Sequence, residues 1–449
     1  MNIEAILEWF HNVAIVLPLT FIILVVGVFL TSKLRLLQLK QFAYILYHTL
    51  GSLLRREKIT KPSSGEITPF QALTTALAAT VGTGNIAGVA TAITLGGPGA
   101  VFWMWVSAFF GMATKYSEIV LAVHYRTKVE GSVVGGPMYF LQKGLRMPFL
   151  ASLFALFGAL AAFGIGNMVQ ANSVADAVKT TFGFPVHLTG LFMALFGALI
   201  ILGGIKRIAR VTTSVVPFMA FFYVIGGLII LVFFYRQIPL ALGQILSGAF
   251  GIQAAAGGFA GASLTRAWRF GISRGIFTNE AGLGSASIAH AVARTPHPVR
   301  QGFWGVIEVF IDTHVICTMT ALILLVTGAW QTGVDGASMT VEAFSRGLPG
   351  TGQYIVAIGL IFFAFSTILS WAYYGEKCAE YLLGRRSVHF YRSLWVVFIF
   401  IGSLGGLRTL WSLSDVLNGL MAFPNLVGLL GLSNVIATLT REYFAGGLK

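Results

Sequence analysis

A chain of 449 residues has the length of two or three soluble domains, but AVILMFWYC make up 56% of it, 53 glycines come on top, and DEKR reach only 10%. Ordinary globular proteins carry roughly 25% charged residues, and with a mean hydropathy of +0.81 this chain has too few charges to cover a soluble surface. The composition therefore implies an all-α polytopic membrane protein and excludes a cytosolic enzyme, a nucleic-acid binder and a secreted disulfide scaffold.

A segment that spans lipid must satisfy its own backbone, so apolar stretches of ~17–25 residues are predicted as helices. Eleven are expected, near 12–31, 69–95, 100–122, 150–171, 187–203, 213–235, 262–290, 303–329, 352–376, 389–407 and 412–436. The seventh is unusual, because Arg266, Arg269 and Arg274 interrupt it and would be expensive facing lipid. Cys317 and Cys378 sit in apolar segments without a CxxC partner and read as buried small hydrophobes.

Lys and Arg are retained in cytoplasmic loops. With the N-terminus outside, 22 of the 30 basic residues fall in inner segments, four in outer segments and four within spans. That asymmetry accounts for the net charge of +14 without a nucleic acid, and it places the C-terminus in the cytoplasm. No cleavable signal is evident, since the first apolar run is long enough to span and Glu4 and Glu8 replace a basic leader. An inner or plasma membrane is the expected location.

Two spans carry breaks. The second reads Thr80-Val81-Gly82-Thr83-Gly84-Asn85 near its middle, and the seventh carries Thr278-Asn279-Glu280-Ala281-Gly282-Leu283-Gly284-Ser285 about 200 residues later. Interrupted helices at corresponding positions of two halves point to the binding site of an inverted-repeat secondary transporter. Each half holds five spans, so the halves run in opposite directions. The expected division is an extra helix with a basic segment (1–66), a first repeat (67–236), an external connector (237–261), a second repeat (262–436) and a tail (437–449). Unwound turns direct amides at an anion and freed carbonyls at a cation.

Enzyme-like motifs fail on context. Gly82-Thr83-Gly84-Asn85-Ile86-Ala87 fits the dinucleotide fingerprint, but no strand precedes it and no acid follows about 20 residues on. Gly271-Ile272-Ser273-Arg274-Gly275 fits GxSxG without the strand-to-helix turn of a nucleophile elbow. The eight histidines show no metal-ligand spacing. No catalytic residue and no cofactor is expected.

Charges within spans are more informative. Lys115 and Glu118, at i,i+3, are expected to form an internal ion pair. Glu308 and Asp312 lie one turn apart. Glu280, inside the second break, is expected either to anchor structure, by accepting from the unwound amides or pairing with an arginine, or to carry a coupling proton. Ser366 and Thr367 offer adjacent hydroxyls either to a small hard cation or to carbonyls of their own helix.

The runs Ala79 to Ala90, Gly135-Gly136-Pro137-Met138-Tyr139, Asn167 to Asn172, Phe277 to Ala286 and Phe363-Ala364-Phe365-Ser366-Thr367 through Glu376 resemble the alanine or glycine:cation symporter family. The resemblance runs from about residue 65 to 435. It implies the leucine-transporter-type five-plus-five fold and Na⁺-coupled uptake of small neutral amino acids. It also implies that Thr83, Gly84 and Asn85 receive the substrate carboxylate, that Gln170 lines the site, and that Phe277, Thr278, Asn279, Thr367 and Trp371 enclose it. Val81 to Asn85 is similar to the break of sodium-coupled neurotransmitter transporters, which implies Na⁺ ligation by the carbonyls of Ala78 and Val81 and the oxygens of Phe363, Ser366 and Thr367.

The expected function is import of alanine or glycine with Na⁺ as coupling ion, the lipid bilayer and no nucleic acid as surroundings, and an oligomeric state that the sequence leaves open. The alternatives are H⁺ coupling or a larger neutral substrate such as glutamine or serine, and, outside transport, an ion channel.

Overall fold

A computed structural model describes residues 17–55, 65–251, 260–405 and 408–446. Residues 12–16 of the first expected span, together with Glu4, Glu8, Arg56, Lys58, Lys61 and Lys449, lie outside the described residues.

The described chain is almost wholly helical, with one short antiparallel hairpin, Thr127–Val129 against Ser132–Val134. In chain order the helices that frame the interior are α1 (Leu17–Lys33), α2 (Pro69–Thr80), α3 (Val89–Gly96), α4 (Ala100–His124), α5 (Pro148–Ala161), α6 (Val169–Phe182), α7 (Val186–Ile201) and α8 (Gly204–Phe233). They continue as α9 (Ala260–Asn279), α10 (Ser285–Ala291), α11 (Pro298–Val309), α12 (Thr318–Val326), α13 (Gly352–Leu383), α14 (Ser387–Ser403), α15 (Arg408–Gly431) and α16 (Ser433–Ala445).

Every expected span has a helical counterpart, with differences in extent. Among the described residues, five helical segments are long and apolar enough to cross a membrane, and up to seven if each bent pair counts as one span. The chain is thus a multi-pass helical membrane protein. The fourth expected span runs on from α5 through α6 as one segment to Phe182, because a π-helical turn, Ala162–Met168, carries the backbone bonding past the glycines instead of ending it. The expected boundary at 436/437 falls inside α16, which turns 58° from the helix before it. Cys317 and Cys378 are buried free thiols.

The start of α2 follows directly from its residues. Thr68 Oγ1 accepts from the Gln71 N–H and Gln71 Oε1 from the Thr68 N–H, a capping box with Pro69 in the first turn. The strand-like residues just before it bridge Ile67 to Ala293 in parallel. The Glu66 N–H donates to Val292 O (2.8 Å) and the Arg294 N–H to Ile67 O (2.8 Å). Arg126 Nη1 adds bonds to Ala293 O (2.7 Å) and Ala291 O (3.2 Å). Helix α4 packs along α9 and α11, while α13 lies against α5, α6 and α8. Large apolar side chains such as Leu195, Phe196, Phe221 and Phe233 face outward, as lipid-facing positions do.

Candidate functional site

The first break separates α2 from a helix that turns away from it by 53°. Glycine is required at its centre because a Cβ on Gly82 would lie 2.8 Å from Thr367 Oγ1, while one on Gly84 would press 3.0 Å from Thr278 Cγ2. The chain restarts through a π-helical turn, Gly84–Gly88, before α3.

A cavity of about 630 Å³ opens at this break. Of the residues implied for substrate, Thr83, Gly84, Gln170, Phe277, Thr278, Thr367 and Trp371 line it, and so does Glu280. Its mouth is marked by Asp176, Thr180 and Gln353, which are exposed. Arg274 also faces the cavity, which explains how one arginine of an apolar span is kept from lipid.

Asn85 and Asn279 are not part of the lining. Asn85 is fully buried and its amide is spent on structure: Oδ1 accepts from the Gly82 N–H at 2.9 Å and Nδ2 donates to Asp312 Oδ1 at 2.7 Å. Asn279 is likewise engaged, with Oδ1 accepting from the Ala281 N–H at 3.0 Å and Nδ2 donating to Thr313 Oγ1 at 3.1 Å. Both asparagines hold their breaks in shape.

Ser366, Thr367, Phe363 and Ala78 converge. Thr367 Oγ1 donates to Ala78 O (3.0 Å) and Phe363 O (3.0 Å), and Ser366 Oγ to Phe363 O (2.9 Å) and Ala78 O (3.4 Å). Each hydroxyl bonds its own helix, as one of the two expectations has it, and also reaches across to α2. All four residues are buried, which gathers hydroxyl and carbonyl oxygens near the end of α2, with the Met219 sulfur 3.5 Å from Ser366 Oγ. Val81 is buried one residue beyond the end of α2.

The second break, between α9 and α10, has Glu280 at φ +54°, a left-handed conformation unusual for a residue with a side chain, and Gly282 and Gly284 at φ +101° and +80°. Such strain costs on the order of 1–3 kcal/mol and persists where surroundings over-determine it. Here Trp371 Nε1 donates to Glu280 Oε1 (3.0 Å) and Ser285 Oγ to Oε2 (2.5 Å).

Two expectations about the charges need correction. Lys115 pairs with Glu308 across helices at 3.2 Å, not with Glu118 on its own helix, and Glu308 also meets His290 Nε2 at 3.2 Å. The unwound amides do not bind Glu280. They bind Glu118, whose Oε1 accepts from the N–H groups of Gly282 (2.9 Å) and Gly284 (3.1 Å) and from Asn425 Nδ2 (2.7 Å). In a low-dielectric interior, groups that bond a buried carboxylate directly outweigh a neighbour one turn along. Asn425 went unnoticed in the sequence, although an amide inside an apolar span was the available signal.

With the geometry in place, comparison with known proteins identifies the lineage. The sodium:alanine symporter family model matches residues 1–447. This chain belongs to that family. It is 50% identical over 426 residues to the sodium/alanine symporter AgcS of Methanococcus maripaludis, covering 93% of this chain and 92% of the relative. It is 47% identical over 449 residues to an uncharacterised transporter of Haemophilus influenzae, covering 99% and 97%. It is 38% identical over 435 residues to the probable sodium/glutamine symporter GlnT of Bacillus subtilis, covering 96% and 87%. A family of symporters fits the absence of an enzymatic motif noted above.

Proposed function

We propose that this chain is a Na⁺-coupled importer of small neutral amino acids, alanine and glycine, working by alternating access. The observation that carries the reading is Thr367: it faces the cavity and also bonds the Ala78 carbonyl at the end of α2, so substrate space and cation oxygens share one side chain. Na⁺ held by Ala78, Val81, Phe363, Ser366 and Thr367 ties α2 to α13, and the substrate carboxylate meets Thr83 and Gly84 beside it. Each ligand then orders what the other needs, which is positive coupling.

Gln170, Phe277, Thr278 and Trp371 close the space around a small side chain. Asn85 and Asn279 act by fixing the breaks, and Glu280 acts as a structural anchor for Trp371. The architecture proposed is the five-plus-five inverted repeat with repeats 67–236 and 262–436, preceded by an extra helix and joined by an external connector. The charge asymmetry of the loops supports a cavity mouth on the outside and the Ile67 bridge in the cytoplasm, an outward-facing arrangement in an inner or plasma membrane.

A larger neutral substrate such as glutamine is the second reading, favoured by a volume of about 630 Å³ where alanine alone needs far less. Proton coupling is its companion, favoured by Glu280 on the cavity wall. Uptake into proteoliposomes, competed by D- and L-amino acids with Na⁺, Li⁺ or a pH gradient as driving force, tests these together. Saturable alanine uptake that requires Na⁺ supports the proposal. Glutamine outcompeting alanine, or uptake driven by a proton gradient without Na⁺ and lost in Glu280→Gln, replaces it with the second reading, and unsaturable ion current without substrate points to a channel.

A further inference from the structure

We propose that Glu118 is the resident anion of the second break, a positioning residue that neutralises the Gly282 and Gly284 amides and thereby leaves the first break alone to receive a substrate carboxylate. The inference deepens the transport reading above and rests on it for the identity of the substrate.

The two breaks have amides in similar chain settings but different company. At the first, the Gly82 N–H is met by a neutral acceptor, Asn85 Oδ1 at 2.9 Å, and Thr83 and Gly84 border the cavity. At the second, one carboxylate oxygen, Glu118 Oε1, takes two main-chain N–H donors and the Asn425 amide within 3.1 Å. The Glu118 side chain has no solvent exposure. Asn425 Nδ2 also donates to Gly282 O at 2.9 Å, so the break is gripped on both its donor and its acceptor face.

Glu118 stands on α4, Asn425 on α15, and the glycines between α9 and α10, so one carboxylate joins three elements. Charge-assisted bonds to main-chain N–H groups are about twice as strong as neutral ones. A substrate carboxylate could enter this turn only by displacing a buried acid already bonded three times. The charges nearby are engaged elsewhere, Lys115 one turn back on α4 pairing with Glu308 from α11 and Glu280 bonding Trp371 and Ser285, so the carboxylate of Glu118 is held by the two amides and Asn425. Asn85 leaves the first break without such an occupant.

Removing the carboxylate should create an anion-shaped vacancy, which a small carboxylate in the medium can fill. The test uses the purified full chain at fixed Na⁺ concentration, exchanging gluconate for formate and reading both alanine affinity and the melting temperature. Wild-type protein is expected to ignore the exchange. Glu118→Ala is expected to bind alanine weaker on the order of tenfold in gluconate and to recover several-fold, with a raised melting temperature, in formate. Glu118→Gln fills the space and is expected to show weakened alanine binding that formate does not repair.

Glu118→Ala responding to formate no more than wild type overturns the proposal. If that variant cannot be purified, Glu118→Gln decides alone: wild-type alanine affinity in it overturns the proposal, while weakened binding with an unchanged Na⁺ requirement sustains it. Should wild-type protein bind no alanine, the transport reading fails separately, because the formate-dependent melting shift of Glu118→Ala needs no substrate.

Discussion

The two breaks share glycines and an asparagine, yet one is an opening and the other a joint. At the first, Gly82 and Gly84 let Thr367 and Thr278 approach the backbone, and the turn borders open space. At the second, Glu280, Gly282 and Gly284 all take left-handed conformations, and buried acids, an amide and an indole enclose the turn. The same local sequence chemistry thus yields two roles, and the deciding residues lie on other helices.

If the first break serves ligands and the second serves the fold, substitutions should separate along that line. The largest effect on folding is expected from Lys115→Met, which leaves Glu308 buried without its ammonium partner. Breaking such a pair costs about 3–5 kcal/mol, read as a large fall in melting temperature, and adding Glu308→Gln should restore much of it. A Lys115→Met protein as stable as wild type breaks the comparison at its firmest point.

On the ligand side, Gly82→Ala brings a methyl to within 2.8 Å of Thr367 Oγ1 and should reduce uptake by about two orders of magnitude, near 3 kcal/mol, while the protein stays folded. Thr367→Ala or Ser366→Ala should raise the Na⁺ concentration for half-maximal uptake about tenfold, with less change in the alanine concentration. Unchanged Na⁺ dependence in both variants removes the cation from this group.

Trp371→Ala should sharpen the contrast by a smaller amount. The indole is fixed by Glu280 and by a notch at Gly166, where a Cβ would meet Trp371 Cβ at 2.3 Å. Its loss should admit larger neutral side chains and weaken alanine several-fold, and competition by leucine in uptake assays checks this. The smallest effect belongs to the exposed Arg346–Glu342 pair at 2.8 Å. Arg346→Ala should change stability by less than about 1 kcal/mol.

Helical spans and break positions were legible because they depend on what a segment is made of: apolar runs, and glycines where a helix prefers leucine. The resemblance set the oxygens of Ser366 and Thr367 around a cation with Ala78, and the structure brings these residues within hydrogen-bond distance of one another. Partners of buried charges were not legible. Lys115 and Glu118 sit one turn apart and suggest each other, but each finds a better partner on a distant segment, at Glu308 and at the Gly282 turn. Asn85 illustrates the same limit, since its place in the motif suggests a ligand contact and its bonds to Gly82 and Asp312 make it a brace.

The parallel bridge at the far end from the cavity mouth is held chiefly by main-chain atoms of residues 66–67 and 292–294. Such bonds survive almost any side-chain replacement, so the contact there is protected from mutational drift and can be weakened through few positions. One is Arg126, which grips the carbonyls of Ala291 and Ala293. Another is Glu66, whose carboxylate accepts from the Val133 N–H at 3.0 Å. Gly65 is a third, because a Cβ there would strike the Arg294 nitrogen at 2.6 Å. The strength of this contact is therefore adjustable at a handful of residues acting on an otherwise sequence-independent clasp.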